Sequence, residues 1–152
     1  MRKSLIIIAF SFSSIIATAN GGLKHIIQQA DTATSYATYE RLAKESEKIA
    51  SNESSNWLAL YWCSFNYAAA AYVAPRDTKD LLLDKAQKML DRASTIKKNE
   101  AEILLLQSWI YTTRVTVAPG SRVKEYGPKA TEVREKAYSL AEDRRGCRVP
   151  PW

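Results

Sequence analysis

Two stretches of the chain repeat each other, and they decide the predicted fold. Residues 60–75 read LYWCSFNYAAAAYVAP, and residues 104–119 read LLLQSWIYTTRVTVAP. At a shift of 44 residues the two stretches share a leucine, a serine, a tyrosine and the ending Val-Ala-Pro. Chance matching of alanine-rich helices is the alternative, but proline is rare here, with 5 in 152 residues, and falls at the same place in both stretches. The sequence therefore predicts a duplicated unit.

Apolar positions at helical spacing predict that each unit is a pair of helices, named A and B. Helix A is predicted at about 56–74 and 100–118, and a proline ends it each time because proline lacks a backbone donor. A loop follows, which includes 121–128 in the second unit. Helix B is predicted at about 78–97, capped by Asp77 or Thr78, and at about 128–142, with Pro128 in its first turn. No segment shows sustained strand-like alternation, so the predicted fold class is all-α.

Ten positions carry a resemblance to a known repeat family. Each unit has a large, a small and an aromatic residue at spacings of four and three on helix A, and two alanines seven apart on helix B. The matching positions are Leu60, Ser64, Tyr67, Ala86 and Ala93, and then Leu104, Ser108, Tyr111, Ala130 and Ala137. This pattern resembles the tetratricopeptide repeat (TPR). The resemblance implies a short right-handed solenoid of antiparallel helix pairs, in which these residues pack helix A against helix B.

The repeat unit is longer than the family's. The aromatic residue of helix A and the first alanine of helix B are 19 residues apart in both units, about ten more than in the TPR pattern. We expect the additional residues to lengthen the ends of the A helices and the connecting loops. An earlier helix B is predicted at about 34–51, and 23–33 is either its helix A or part of one long helix. The count is about two and a half units of about 44 residues.

Residues 1–19 have the composition of a secretory signal peptide. Met1-Arg2-Lys3 is basic, 5–17 is apolar apart from scattered serines, and Ala17-Thr18-Ala19 offers a small-x-small cleavage site. A membrane anchor or a buried N-terminal helix is the alternative, but the apolar run is short and rich in serine. We therefore expect an exported protein that starts at Asn20 and is periplasmic or extracellular. In this respect it resembles small secreted TPR-like proteins of Bacteroidota.

The net charge of +6 comes from the two ends of the chain. Two basic residues lie in the signal peptide and three in an irregular tail, 144–152. Without these five, the 22 basic residues fall to 17 against 16 acidic ones in the repeat domain, 20–143, where both signs mix along the helices. Nucleic-acid binding, which needs basic residues on one face, is not expected, nor is stable membrane insertion after cleavage. The tail either caps the last helix with Val149 and Trp152 or marks a truncated member of a longer family.

Residues that could support catalysis are few, so we expect no enzyme, no cofactor and no metal. His25 is the sole histidine, which leaves no two-histidine metal site and no obvious Ser-His relay. Cys63 is expected to be a buried apolar group, and its disulfide with Cys147 stays an open possibility. Glu100 and Glu102 are the nearest approach to a carboxylate pair, but acids at a helix start are more often caps.

Large aromatic side chains crowd the two A helices. Packing of a lengthened core is one explanation of them. In TPR-like stacks, however, the A helices line the concave face, and the resemblance implies six residues there. They are Tyr61, Phe65, Leu105 and Trp109, with Thr112 and Thr113 one turn further along. We predict that they line a groove that binds an extended peptide or a partner helix.

The sequence thus favours a non-enzymatic interaction or scaffold module whose partner is a protein or a peptide. The alternative is a structural subunit with no small ligand, which associates with copies of itself through the open last helix. A terminal helix of a repeat stack needs either a polar outer face or a partner, and this need is the basis of the alternative.

Overall fold

The computed structural model describes residues 21–145, with side chains up to residue 142. This part of the chain has six helices and no strand: α1 (Gly21–Thr32), α2 (Tyr36–Asn52), α3 (Trp57–Val73), α4 (Arg76–Ile96), α5 (Ala101–Val117) and α6 (Pro119–Arg145). The all-α prediction is confirmed. The predicted signal peptide, 1–19, and residues 146–152 of the predicted tail lie outside the described residues. Among the described helices, none has both the length and the apolar character needed to cross a membrane.

Helix α3 is the centre of the core. Each helix packs against the next one along the chain, and α3 packs in addition against α1 and α5. Thirteen of its 17 residues are buried. The side chain of Asn56 accepts hydrogen bonds from the first turn of α3, and the Lys79 ammonium donates to the carbonyls of Ala71 and Tyr72 at the other end. Both ends of this buried helix are therefore capped by side chains.

Helix α1 is separate from α2, which decides between the two predictions for 23–33. The hydroxyl of Ser35 accepts a hydrogen bond from the backbone N–H of Thr38 at 3.2 Å and caps α2. The hydroxyl of Tyr39 donates to the carbonyl of Ala33 at 2.7 Å and holds the connection in place. The segment is thus a helix of its own in front of α2.

The two units share the same hydrogen bond between their helices. The buried hydroxyl of Ser64 in α3 donates to the carbonyl of Ala86 in α4 at 2.8 Å. The buried hydroxyl of Ser108 in α5 donates to the carbonyl of Ala130 in α6 at 2.7 Å. These four residues are small-residue positions of the sequence repeat. The duplication in the sequence therefore extends to the contact between the paired helices.

The other repeat-packing positions are buried to different extents in the two units. Leu60, Tyr67, Ala86, Ala93, Ala130 and Ala137 are buried. Leu104 and Tyr111 are only half-buried. Helix α2 covers α3 more extensively than α4 covers α5, so the second unit leaves more of its A helix open.

The predicted loop before α4 is wrong. Helix α4 begins at Arg76, directly after Pro75, and neither Asp77 nor Thr78 caps it. Asp77 lies in the first turn, and the Thr78 hydroxyl donates to the carbonyl of Pro75 at 2.9 Å. Because the nitrogen of Pro75 needs no hydrogen-bond acceptor, the chain passes from α3 into α4 without the predicted loop.

The predicted loop at 121–128 is also wrong. Helix α6 begins at Pro119, so Pro128 lies inside the helix rather than in its first turn. The additional length of the second unit therefore falls in this helix and not in a loop. At its other end α6 continues to Arg145, so the first two residues of the predicted irregular tail are helical.

Contacts with neighbouring helices hold the beginning of α6. The guanidinium of Arg122 donates two hydrogen bonds to the carboxylate of Asp80 in α4, at 2.6 and 2.8 Å, and they lower the pKa of this carboxyl group. The ring of Tyr126 lies 5.8 Å from that of Tyr111 in α5. These contacts favour the helix over the turn that the local glycine and proline residues predict.

Candidate functional site

A chain of aromatic rings joins α3 to α5. Along α3 the ring centroids of Trp57 and Tyr61 are 6.3 Å apart, those of Tyr61 and Trp62 are 5.7 Å apart, and those of Trp62 and Phe65 are 5.0 Å apart. Phe65 then lies 5.5 Å from Trp109 in α5. All four spacings are in the range of favourable aromatic pairs. The rings therefore connect the two A helices that lie side by side.

Four of the six predicted groove residues reach the surface. Phe65, Leu105 and Trp109 are half-buried, and Thr112 is exposed. They come from both A helices, and the Phe65–Trp109 ring contact brings the two sets together. The structure thus places these four where a partner could touch them.

The other two predicted groove residues lie beneath this surface. Tyr61 is 8% exposed, and its burial, with the nearby charge of Glu102, raises the pKa of its hydroxyl. Thr113 is 1% exposed and donates to the carbonyl of Trp109 at 2.9 Å. Both side chains support the surface from inside and are not accessible to a partner.

Tyr72 also belongs to this surface, although it is not among the six predicted groove residues. Its side chain is 48% exposed, and its ring lies 6.2 Å from that of Trp109. The signal was present, because Tyr72 follows Phe65 by seven residues, which is two helical turns on one face. We call Phe65, Tyr72, Leu105, Trp109 and Thr112 the aromatic face.

The aromatic face has no charged side chain. Helix α3 contains no Asp, Glu, Lys or Arg at all, and α5 contains only Glu102 and Arg114. Arg114 is directed towards α4, where it lies 2.7 Å from Asp84 and 3.8 Å from Asp80. Its side chain is only 13% exposed. The five side chains of the aromatic face are thus uncharged, and the Lys79 ammonium of α4 lies 2.8 Å from the backbone carbonyl of Tyr72 at the end of α3.

The other candidate residues of the sequence analysis lie apart from this face. His25 is exposed on α1 and lies 2.7 Å from the side chain of Gln29. Cys63 is fully buried, its thiol donates to the carbonyl of Ala43 at 3.7 Å, and burial raises its pKa to about 12. A thiol in this state is unreactive at neutral pH. Cys147 lies outside the described residues, so the possible disulfide is not described either.

The two acids Glu100 and Glu102 lie at the start of α5, Glu102 in its first turn. Glu100 stands at the N-cap position, but its side chain makes no capping hydrogen bond, and it lies 4.0 Å from the ammonium of Lys97. Within residues 21–142 no group of three or more His, Cys, Asp or Glu side chains could hold a metal ion.

The chain matches no protein-family model, no curated protein and no solved structure.

Proposed function

We propose that the chain is an exported, non-enzymatic interaction module of TPR-like fold, periplasmic or extracellular, which binds a segment of another protein on the aromatic face. One observation carries the proposal: two neighbouring A helices jointly present connected aromatic rings without charge. Exposed aromatic side chains with a half-buried surround are typical of binding hot spots. Scattered surface aromatics would not be in contact across two helices.

Two features of the fold support the TPR-like part of the proposal. Helix α3 contacts α1 and α5, as A helices do in a stack of helix pairs. The Ser64–Ala86 and Ser108–Ala130 hydrogen bonds repeat at an interval of 44 residues. A stack of this kind leaves one face of its A helices open, and the aromatic face lies on α3 and α5.

Selection from a random peptide library on the immobilised chain tests the proposal. We expect the wild type to enrich peptides that bind at least about tenfold more weakly to a variant with Phe65, Tyr72 and Trp109 changed to alanine. Tyr61 is left unchanged because it is buried. The matched control is Tyr138→Ala, which removes a tyrosine of similar exposure, 43%, from α6.

A second variant keeps this test valid if the triple variant loses its fold. Thr112→Arg adds a charge at an exposed position of the aromatic face and removes no core group. This variant is also expected to bind the enriched peptides about tenfold more weakly, because a bound peptide would desolvate the unpaired charge of the arginine. Peptides that bind both variants as tightly as the wild type would contradict the proposal.

Self-association through α6 is the second candidate function, and the surface of α6 supports it. Val123 is 49% exposed and Tyr138 is 43% exposed, while Val133 and Leu140 are half-buried. If this candidate is correct, light scattering gives the mass of a dimer, and Tyr138→Asp returns the mass to that of a monomer. If light scattering gives the mass of a monomer at all concentrations while peptides still bind the aromatic face, self-association through α6 is excluded.

A further inference from the structure

We propose that residues 119–127, the first part of α6, form a lid that opens about Pro128 while the rest of the fold stays intact. The ion pair between Asp80 and Arg122 holds the lid closed, and opening uncovers the ring of Tyr111 on α5. This inference goes beyond the proposed function. It follows from the way the lid is packed, the way it is attached and the residues it contains.

The lid has no buried residue. From 119 to 129 every residue is exposed or half-buried, whereas Ala130 and Ala137 further along α6 are buried. Segments without buried apolar contacts open locally at a low cost in free energy. The two parts of α6 are therefore stabilised differently, and the boundary between them lies beside Pro128.

Contacts between side chains hold the lid closed. The Arg122 guanidinium donates to both carboxylate oxygens of Asp80 in α4, and the Arg114 guanidinium of α5 lies 3.8 Å from the same carboxylate. The ring of Tyr126 in the lid lies 5.8 Å from that of Tyr111. A bidentate pair is among the stronger ion pairs at a surface, but it supplies only a small part of the stability of a fold. These contacts can therefore be lost without unfolding the core.

Both ends of the lid adjoin fixed points of the fold. Before the lid, Val117 is buried, and its carbonyl accepts a hydrogen bond from Arg76 of α4. After the lid, the carbonyl of the buried Ala130 accepts the hydrogen bond of Ser108. At Pro128 the hydrogen bonds of the helix are interrupted, because proline has no N–H to donate. The lid can therefore open between these points while both stay in place.

The closed lid does not need its two glycines. A Cβ atom at Gly120 would meet nothing within 4 Å, and one at Gly127 would lie 3.8 Å from the side chain of Val123, which is an ordinary contact. In the interior of a helix, glycine lowers the population of the helical state about fourfold to fivefold relative to alanine. The freedom of Gly127 beside Pro128 is of use only when the lid leaves the helix, which the open state provides.

Amide hydrogen exchange of the full chain, followed by NMR, tests the inference. We expect the amides of 122–127 to exchange about 100-fold faster than those of 131–141, with one step in the rate at Pro128. Gly127→Ala favours the closed helix and is expected to slow the exchange of 122–127 about fourfold to fivefold.

Two variants of α4 test the ion pair. Asp80→Asn removes the charge that Arg122 contacts, and it is expected to speed the exchange of 122–127 by about threefold to tenfold while that of 131–141 stays unchanged. Asp84→Asn is the matched control, because the carboxylate of Asp84 pairs with Arg114 at 2.7 Å. This control should leave the exchange of the lid unchanged.

Three results would overturn the inference. Equal exchange rates on the two sides of Pro128 would mean that α6 opens as one unit. A gradual decrease of the rate along α6 would be the fraying of an ordinary helix end. Asp80→Asn and Asp84→Asn with the same lid exchange would mean that the ion pair does not hold the lid. Peptide binding to the aromatic face is measured separately, so the inference and the proposed function can fail independently.

Discussion

Replacing Leu60 with alanine is expected to lower the free energy of unfolding by about 3–4 kcal/mol. Leu60 is fully buried in α3, the helix on which α1, α2, α4 and α5 all pack. The substitution removes three methylene-sized groups from the core and leaves a cavity that the packed helices cannot fill by moving. Urea unfolding followed by circular dichroism measures the change.

The equivalent substitution in the second unit provides the control. Leu104 occupies the same repeat position but is half-buried, so Leu104→Ala is expected to lower the free energy of unfolding by only about 1–2 kcal/mol. The difference between the two variants measures how unequally the units are covered. Equal losses in the two variants would contradict the central place of α3 in the core.

Replacing Pro128 with alanine is expected to raise the free energy of unfolding by about 2 kcal/mol. Pro128 is exposed and lies inside α6, where its ring crowds the carbonyl four residues earlier and its nitrogen donates no hydrogen bond. Alanine restores the bond and removes no packing. Thermal or urea unfolding of the full chain measures the gain.

The proline at the start of the same helix is the matched control. Pro119 is also exposed, but it is the first residue of α6, where the missing donor has no consequence. Pro119→Ala is therefore expected to change the free energy of unfolding by no more than about 0.5 kcal/mol. If Pro128 instead began the helix after a loop, as its local sequence indicates, both substitutions would have the same small effect.

The sequence predicts the repeat and the ends of the A helices well because these depend on local signals. Apolar spacing and the two Val-Ala-Pro endings place α3 and α5 within two residues of their bounds. The beginning of α6 was not predictable in this way. Gly120, Gly127 and Pro128 indicate a turn locally, and only contacts from distant positions, such as Arg122 with Asp80, favour the helix.

The aromatic face was predictable in part for the same reason. The resemblance to the TPR pattern predicts Phe65 and Trp109 on the open side of their helices, and both reach the surface. It does not determine how closely the neighbouring helices approach. That approach buries Tyr61 and Thr113 and leaves Tyr72 open, so the membership of the surface follows from packing between helices rather than from the pattern within one.

The indole N–H spectrum of the full chain tests most directly whether a partner binds the aromatic face. A peptide enriched by the wild type is added, and the resonances of the tryptophans are followed by NMR. Trp109 is half-buried in the aromatic face, whereas Trp62 is 5% exposed beneath it. We predict that the Trp109 resonance moves on binding and that the Trp62 resonance moves far less. A bound peptide that leaves the Trp109 resonance in place would contradict the proposed function.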